Sequence, residues 1–306
     1  MSLAILFPGQ GSQEPGMLGA LPASRAVTAT LAEARDVIGA VDLDSVAALG
    51  DTTNVQLALV IAGVAAARAL TEDHGLEPAF VAGHSVGAFA AAVTAGVLTL
   101  TEALAAVRLR GDLMTEACAG REWGMAAVTG LPTRSAGELV DRVGTEAEPL
   151  WLANVNSATQ TVLSGSTVAL AAAADAANRL GARSFERLDV AVASHCPLQA
   201  PTAERLAAQL ASVPRRAPSA RFLTNTRGRS VGTADLVLDD LAQAVAHPVQ
   251  WHDGTRLMAE LGATCAVQVP PGHVLAQLLR SEVPAMTVVA MSEAGVAGAV
   301  ATASRG

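Results

Sequence analysis

The apolar pattern of the chain begins with an unbroken run, Leu3-Ala4-Ile5-Leu6-Phe7, which predicts a strand buried on both faces. Residues 23–40 and 54–71 follow with helical periodicity. In the second of these, Val55 to Leu70 is nearly all apolar and predicts a helix buried all round. Phe80-Val81 then reads as the end of another buried strand. The pattern breaks at Gly83-His84-Ser85-Val86-Gly87 and resumes as an Ala-rich helix over about 88–95. No Asp, Glu, Lys or Arg falls between Glu77 and Glu102, a span long enough to cross a bilayer. Pro78, His84, Ser85 and three glycines (Gly83, Gly87 and Gly96) interrupt it, however, and it lacks a Leu/Ile/Phe-dense centre. A strand, a sharp turn and a helix account for it better. Thr101 starts a further helix with Glu102 in its first turn, where the helix dipole favours an acid.

From Gly124 the pattern changes. Met125–Thr129, Trp151–Asn156, Thr161–Ser164 and Ser184–Val190 read as strands. Thr133–Val143 and Val168–Leu180 read as helices, the second stopped by Gly181. The order β-α-β-β-α-β is that of a ferredoxin-like unit. It predicts a small domain, 124–193, inserted into a large α/β-hydrolase-like domain made of 1–123 and 194–306. In the latter, Ser194-His195-Cys196-Pro197 is expected to follow a strand and lead to a helix over about 203–210. Pro248-Val249-Gln250-Trp251 opens another helix. Ala266–Val269 is a strand, followed by a Pro270-Pro271-Gly272 turn and a helix from His273.

With 306 residues the chain can bury a large core, and 16% charged against 51% apolar residues argues against disorder. A formal charge of −8 speaks against nucleic acid as a general partner. Every basic residue is Arg, which excludes a Lys Schiff base. The three cysteines, Cys118, Cys196 and Cys265, are odd in number and widely spaced. They suggest a reducing compartment without a disulfide framework, and no Cys/His cluster has zinc-ligand spacing. The N-terminus lacks a basic n-region and a cleavage site, so a cytoplasmic protein is expected.

Gly83-His84-Ser85-Val86-Gly87 fits the G-x-S-x-G nucleophile elbow, in which a tight strand-to-helix reversal lifts the serine hydroxyl clear of the sheet. The motif also arises by chance in Gly- and Ala-rich chains; its place between a strand and a helix favours the elbow. Pro8-Gly9-Gln10-Gly11-Ser12-Gln13 has no G-K-[ST], which counts against a phosphate loop. It suits a platform supplying a second oxyanion N–H, with Gln10 and Val86 as the donors. Among the six histidines, His195 at the domain junction is the candidate base. His84 lies in the elbow with its ring expected to point away. Arg108 and Arg110, two apart, are expected on different helix faces, one solvated and one free to face the site. No acid stands out as a third partner; Asp189 and Asp253 are the nearest, and a carbonyl can serve instead. Arg215, Arg216, Arg221, Arg227 and Arg229 are either a basic docking patch or ordinary solvated charge.

Six stretches in order carry a family resemblance: Phe7 to Gln13; Gly83 to Gly87; Arg110-Gly111-Asp112-Leu113-Met114; Asn154-Val155-Asn156 with Gln160; Ser194-His195; and Pro248 to Trp251. Together they resemble the malonyl-CoA:acyl carrier protein transacylase family over nearly the whole chain. The resemblance implies Ser85 as the nucleophile that carries malonyl as an ester and His195 as its base. It implies the backbone carbonyl of Gln250 as the group orienting His195, and the N–H groups of Gln10 and Val86 as the oxyanion hole. Arg110 matches the grip on the malonyl carboxylate, with Met114 and Asn154 beside the substrate. It implies malonyl-CoA as donor, a carrier protein with a phosphopantetheine-type or CoA-like group as acceptor, and no bound cofactor or metal. Two departures, Val86-Gly87-Ala88 for the usual Leu-Gly-Glu and Pro270-Pro271-Gly272 for Gly-Pro-Gly, look closer to the epsilon subunit of malonate decarboxylase. They imply that complex's carrier subunit as acceptor. The alternatives are a transacylase of fatty acid or polyketide synthesis and, in other classes, a serine esterase or an inactive scaffold subunit.

Overall fold

The computed structural model describes residues 2–305. The large sheet comprises β1 (Leu3–Phe7), β2 (Phe80–Gly83), β7 (Arg221–Leu223), β8 (Ser230–Val231), β9 (Cys265–Gln268) and β10 (Thr287–Ala290). Its order is β10-β9-β1-β2-β7-β8, parallel except for β8. The run at 3–7 is apolar throughout because both faces are covered. Leu3, Ile5 and Phe7 join one core cluster with helix Thr52–Arg68, and Ala4 and Leu6 join another under helices Trp251–Glu260 and Val274–Glu282. Helix Thr52–Arg68 and its continuation to Asp73 form the only stretch among the described residues long and apolar enough to span a membrane, and 83% of its apolar window is buried inside the protein.

The second sheet comprises β3 (Trp123–Thr129), β4 (Leu150–Ser157), β5 (Gln160–Ser166) and β6 (Ser184–Arg187), antiparallel in the order β4-β5-β3-β6. Helices Thr133–Val143 and Thr167–Arg179 cover one face through Ala126, Val128, Leu163, Leu139 and Leu170. The other face carries Met125, Ala153 and Val162. Two main-chain bonds, Val155 N to Val249 O and Val249 N to Ala153 O, both 2.8 Å, stitch β4 to the segment before Trp251.

Three expectations change. The strand expected over 184–190 stops at Arg187, because Val190 N turns back onto Leu188 O. No strand therefore precedes His195. Strands β7 and β8, β10 and helices Ala234–Gln243 and Met291–Arg305 have no counterpart in the sequence reading. β7 and β8 span three residues and two, too short to show a period.

The turn after β2 leaves no space for side chains at its glycines. A Cβ on Gly83 would lie 2.1 Å from Gly87 C, and one on Gly87 would lie 2.3 Å from Phe7 O. Both obstacles are backbone and cannot rotate away. Gly83→Ala is expected to destabilise the fold by about 3 kcal/mol, readable as a lower midpoint in urea unfolding.

Candidate active site

Ser85 has a φ of 53° and His195 a φ of 58°, and they alone among described non-glycine residues have positive φ. Left-handed backbone in such residues costs about 1–3 kcal/mol and persists where the surroundings enforce it, commonly at functional sites. Ser85 is placed by the β2 turn, His195 by its N–H bond of 2.7 Å to Val245 O. The two side chains meet, with His195 Nε2 2.7 Å from Ser85 Oγ.

His195 Nδ1 lies 2.6 Å from the Ala244 carbonyl. A carbonyl only accepts, so Nδ1 carries the proton and Nε2 is left to accept from the Ser85 hydroxyl. Here the structure corrects the expectation for Gln250, whose carbonyl accepts instead from Gly254 N as the first turn of helix Trp251–Glu260 closes. Asp189 and Asp253 are both exposed, and neither orients the imidazole. His195 is 2% exposed, and burial first, then the Arg110 charge, pushes its pKa down to about 3. It is therefore neutral and able to take a proton throughout the neutral range.

Arg108 and Arg110 lie on different faces of helix Leu100–Ala117, the first exposed and the second 2% exposed. Arg110 Nη2 donates to Ser85 Oγ at 3.1 Å and Nη1 donates to Gln56 Oε1. Among the described residues it has no acidic partner. Burial lowers its pKa to about 10, so it remains a cation in the neutral range. An unpaired buried charge is costly unless an anion arrives to meet it.

Met114, Met125, Leu188, Val190 and Val192 form the apolar wall of a cavity of about 40 Å³ that also touches Gln10, Ser85, Arg110, Asn154 and His195. Asn154 is 6% exposed and its Oδ1 has no partner among the described residues. The N–H groups of Gln10 and Val86 donate to no other main-chain group among the described residues. The His84 ring turns away from the hydroxyl and sets Nε2 3.0 Å from Asn156 Oδ1.

Four contributors escaped the sequence reading as site residues: Gln56, Asn156, Asn225, whose side chain bonds Gly83 O and Ser85 N, and the Ala244 carbonyl. Asn156 stood within a quoted motif, and Gln56 is a polar residue inside an apolar helical run, which is a readable signal. Ala244 acts through its backbone and left none. Of the arginines at 215–229, open between a docking patch and ordinary solvated charge, two are spent on internal pairing. Arg215 bonds Asp235 at 2.6 Å, and Arg216 bonds Glu102 at 2.7 and 2.9 Å, holding that carboxyl at about 2.

A family model described as acyl transferase domain matches residues 5–303. The chain belongs to this family of acyltransferases. The malonyl CoA-acyl carrier protein transacylase of Escherichia coli O157:H7 is 35% identical over 297 residues, covering 95% of this chain and 96% of its own. That of Bacillus subtilis (strain 168) is 30% identical over 297 residues, covering 95% and 93%. A malonyl-transacylase solved in complex with its type II PKS acyl-carrier protein superposes with a TM-score of 0.92 at 33% identity, covering 98% of this chain and 99% of that one. The malonyl CoA-acyl carrier protein transacylase of Coxiella burnetii gives 0.90 at 32% identity, covering 95% and 94%.

Proposed function

We propose that this acyltransferase moves malonyl from malonyl-CoA to the phosphopantetheine thiol of an acyl carrier protein, by way of a Ser85 ester. The observation that carries the reading is the buried, acid-free Arg110 guanidinium beside the Ser85–His195 pair. It suits an acyl group that ends in a carboxylate, held through two parallel N–H bonds.

In the first half-reaction Ser85 Oγ attacks the thioester carbonyl and its proton passes to His195 Nε2. The oxyanion is met by the N–H groups of Gln10 and Val86. The carbon–sulfur bond breaks, and His195 returns the proton to the CoA sulfur. In the second, the carrier thiol gives its proton to His195 and attacks the ester; Ser85 leaves and recovers that proton. One site thus serves two thiols in turn. The division into 1–123 with 194–306 and a ferredoxin-like insert at 124–193 belongs to the same reading. It puts the substrate between β3, β4 and the β2 turn.

The acceptor reading follows the relatives, toward fatty acid or polyketide synthesis, and away from malonate decarboxylase. The decarboxylase expectation leaned on Ala88 and Pro270. Ala88 is 1% exposed inside the main core cluster and offers no surface to an acceptor.

Intact mass after mixing with malonyl-CoA tests the reading. A malonyl adduct on the wild type and none on Ser85→Ala is expected; a folded wild type without adduct overturns it. Because His195 sits near 3 against an ordinary 6.5, kcat/KM for loading is expected to stay level from about pH 5 to pH 8. A fall centred near 6.5 would show a solvated imidazole. The same depression makes the stability contributed by burying His195 complete above about pH 6.5, and that contribution is lost as pH falls toward 3.

A further inference from the structure

Crowding at Gly83 and Gly87 fixes the path of the β2 turn but leaves its peptide planes undetermined. Two polar groups of the turn point away from the substrate side: the Gly83 carbonyl and the Ser85 N–H. One side chain satisfies both. Asn225 Nδ2 donates to Gly83 O at 2.9 Å, and Asn225 Oδ1 accepts from Ser85 N at 2.8 Å. One target only accepts and the other only donates, so the amide has a single orientation. A carboxylate would face the Gly83 carbonyl with a second acceptor, and an alanine would leave both groups unpaired.

Asn225 is itself held. Its N–H donates to Asp240 Oδ2 at 2.8 Å, and its carbonyl accepts from Gln250 N at 2.7 Å. Asp240, 2% exposed on helix Ala234–Gln243, also accepts from Thr226 N at 2.9 Å and Thr226 Oγ1 at 2.7 Å. A continuous line of buried hydrogen bonds therefore runs from that helix to the back of the serine turn.

We propose that Asn225 is a positioning residue, clamping the Gly83 carbonyl and the Ser85 N–H so that the Ser85 hydroxyl stays within reach of both His195 and Arg110, with Asp240 holding the clamp. This rests on the reading of Ser85 as nucleophile. Asn225 reaches no substrate atom in that scheme, so its loss belongs in the rate of acylation. Substrate binding belongs to Arg110, which bonds Gln56 and Ser85 from a different helix.

The test is rapid-quench intact mass of Ser85 loading by malonyl-CoA in wild type, Asn225→Ala and Asp240→Asn. Amplitude, rate constant and half-saturating concentration are fitted separately. Asn225→Ala is expected to load to full amplitude with the half-saturating concentration unchanged and the rate constant lower by about 100-fold, the scale of a small misplacement of a reacting group. Asp240→Asn keeps the Asn225 side chain and one acceptor oxygen, so it should shift the rate constant the same way by a smaller factor. It carries the test if Asn225→Ala fails to fold. A merely structural role gives the opposite split: amplitude falls with the unfolded fraction, and the remaining sites load at the wild-type rate constant. That result, or wild-type kinetics throughout, overturns the clamp while leaving the nucleophile in place. A wild type that takes no malonyl overturns both.

Discussion

His195→Ala is expected to slow malonyl loading of Ser85 at neutral pH by about 10⁴-fold, the upper range for removing a positioned general base. The serine hydroxyl is a weak nucleophile until its proton has somewhere to go. In the structure that place is Nε2 of an imidazole whose other nitrogen is committed to the Ala244 carbonyl. With the imidazole gone, hydroxide is the remaining base, so residual loading should climb as pH rises, where the wild type stays level. The substitution also removes the shorter of two hydrogen bonds to the Ala244 carbonyl, leaving the 3.4 Å bond from His247 N, at a cost of about 1 kcal/mol, so the rate constant must be taken from a fitted loading amplitude. Near-wild-type loading would remove His195 as the base.

Some of this site was legible before any coordinates because the chemistry imposes local sequence. A turn that tight demands Gly83 and Gly87, and the pattern of a buried strand before them and an alanine helix after them marked Ser85. The two-residue spacing of Arg108 and Arg110 placed one of them inside. The partner of His195 was not legible, since a carbonyl carries no side-chain identity: the expectation fell on Gln250 and the bond goes to Ala244. Asn225 was hidden for a related reason. It follows a three-residue strand with no visible period, and its importance lies in meeting a turn 140 positions earlier. The small sheet was read nearly in full, because each of its strands but the last runs for seven or eight residues and is bounded by a helical run or a short polar turn. The last gave way where residues 188–192 leave the sheet to line the cavity.

Arg110→Ala is expected to abolish the preference for malonyl over acetyl. In the wild type an acetyl group would enter a closed site and leave the guanidinium buried without an anion. A malonyl group brings the missing charge. Breaking such a buried pair from one side costs about 3–5 kcal/mol, which is about 10²–10³-fold or more in kcat/KM for malonyl-CoA. Acetyl-CoA loses no such contact, and the truncated side chain no longer penalises its methyl group, so acetyl loading should hold or rise. The hydrogen bond from Nη2 to Ser85 Oγ complicates the absolute rates, since its loss slows both donors by the same factor. The ratio of malonyl to acetyl kcat/KM cancels that shared factor and isolates the carboxylate grip. An unchanged ratio would mean that the carboxylate is held elsewhere. A collapsed ratio with acetyl loading intact would make a single buried cation the source of acyl selectivity.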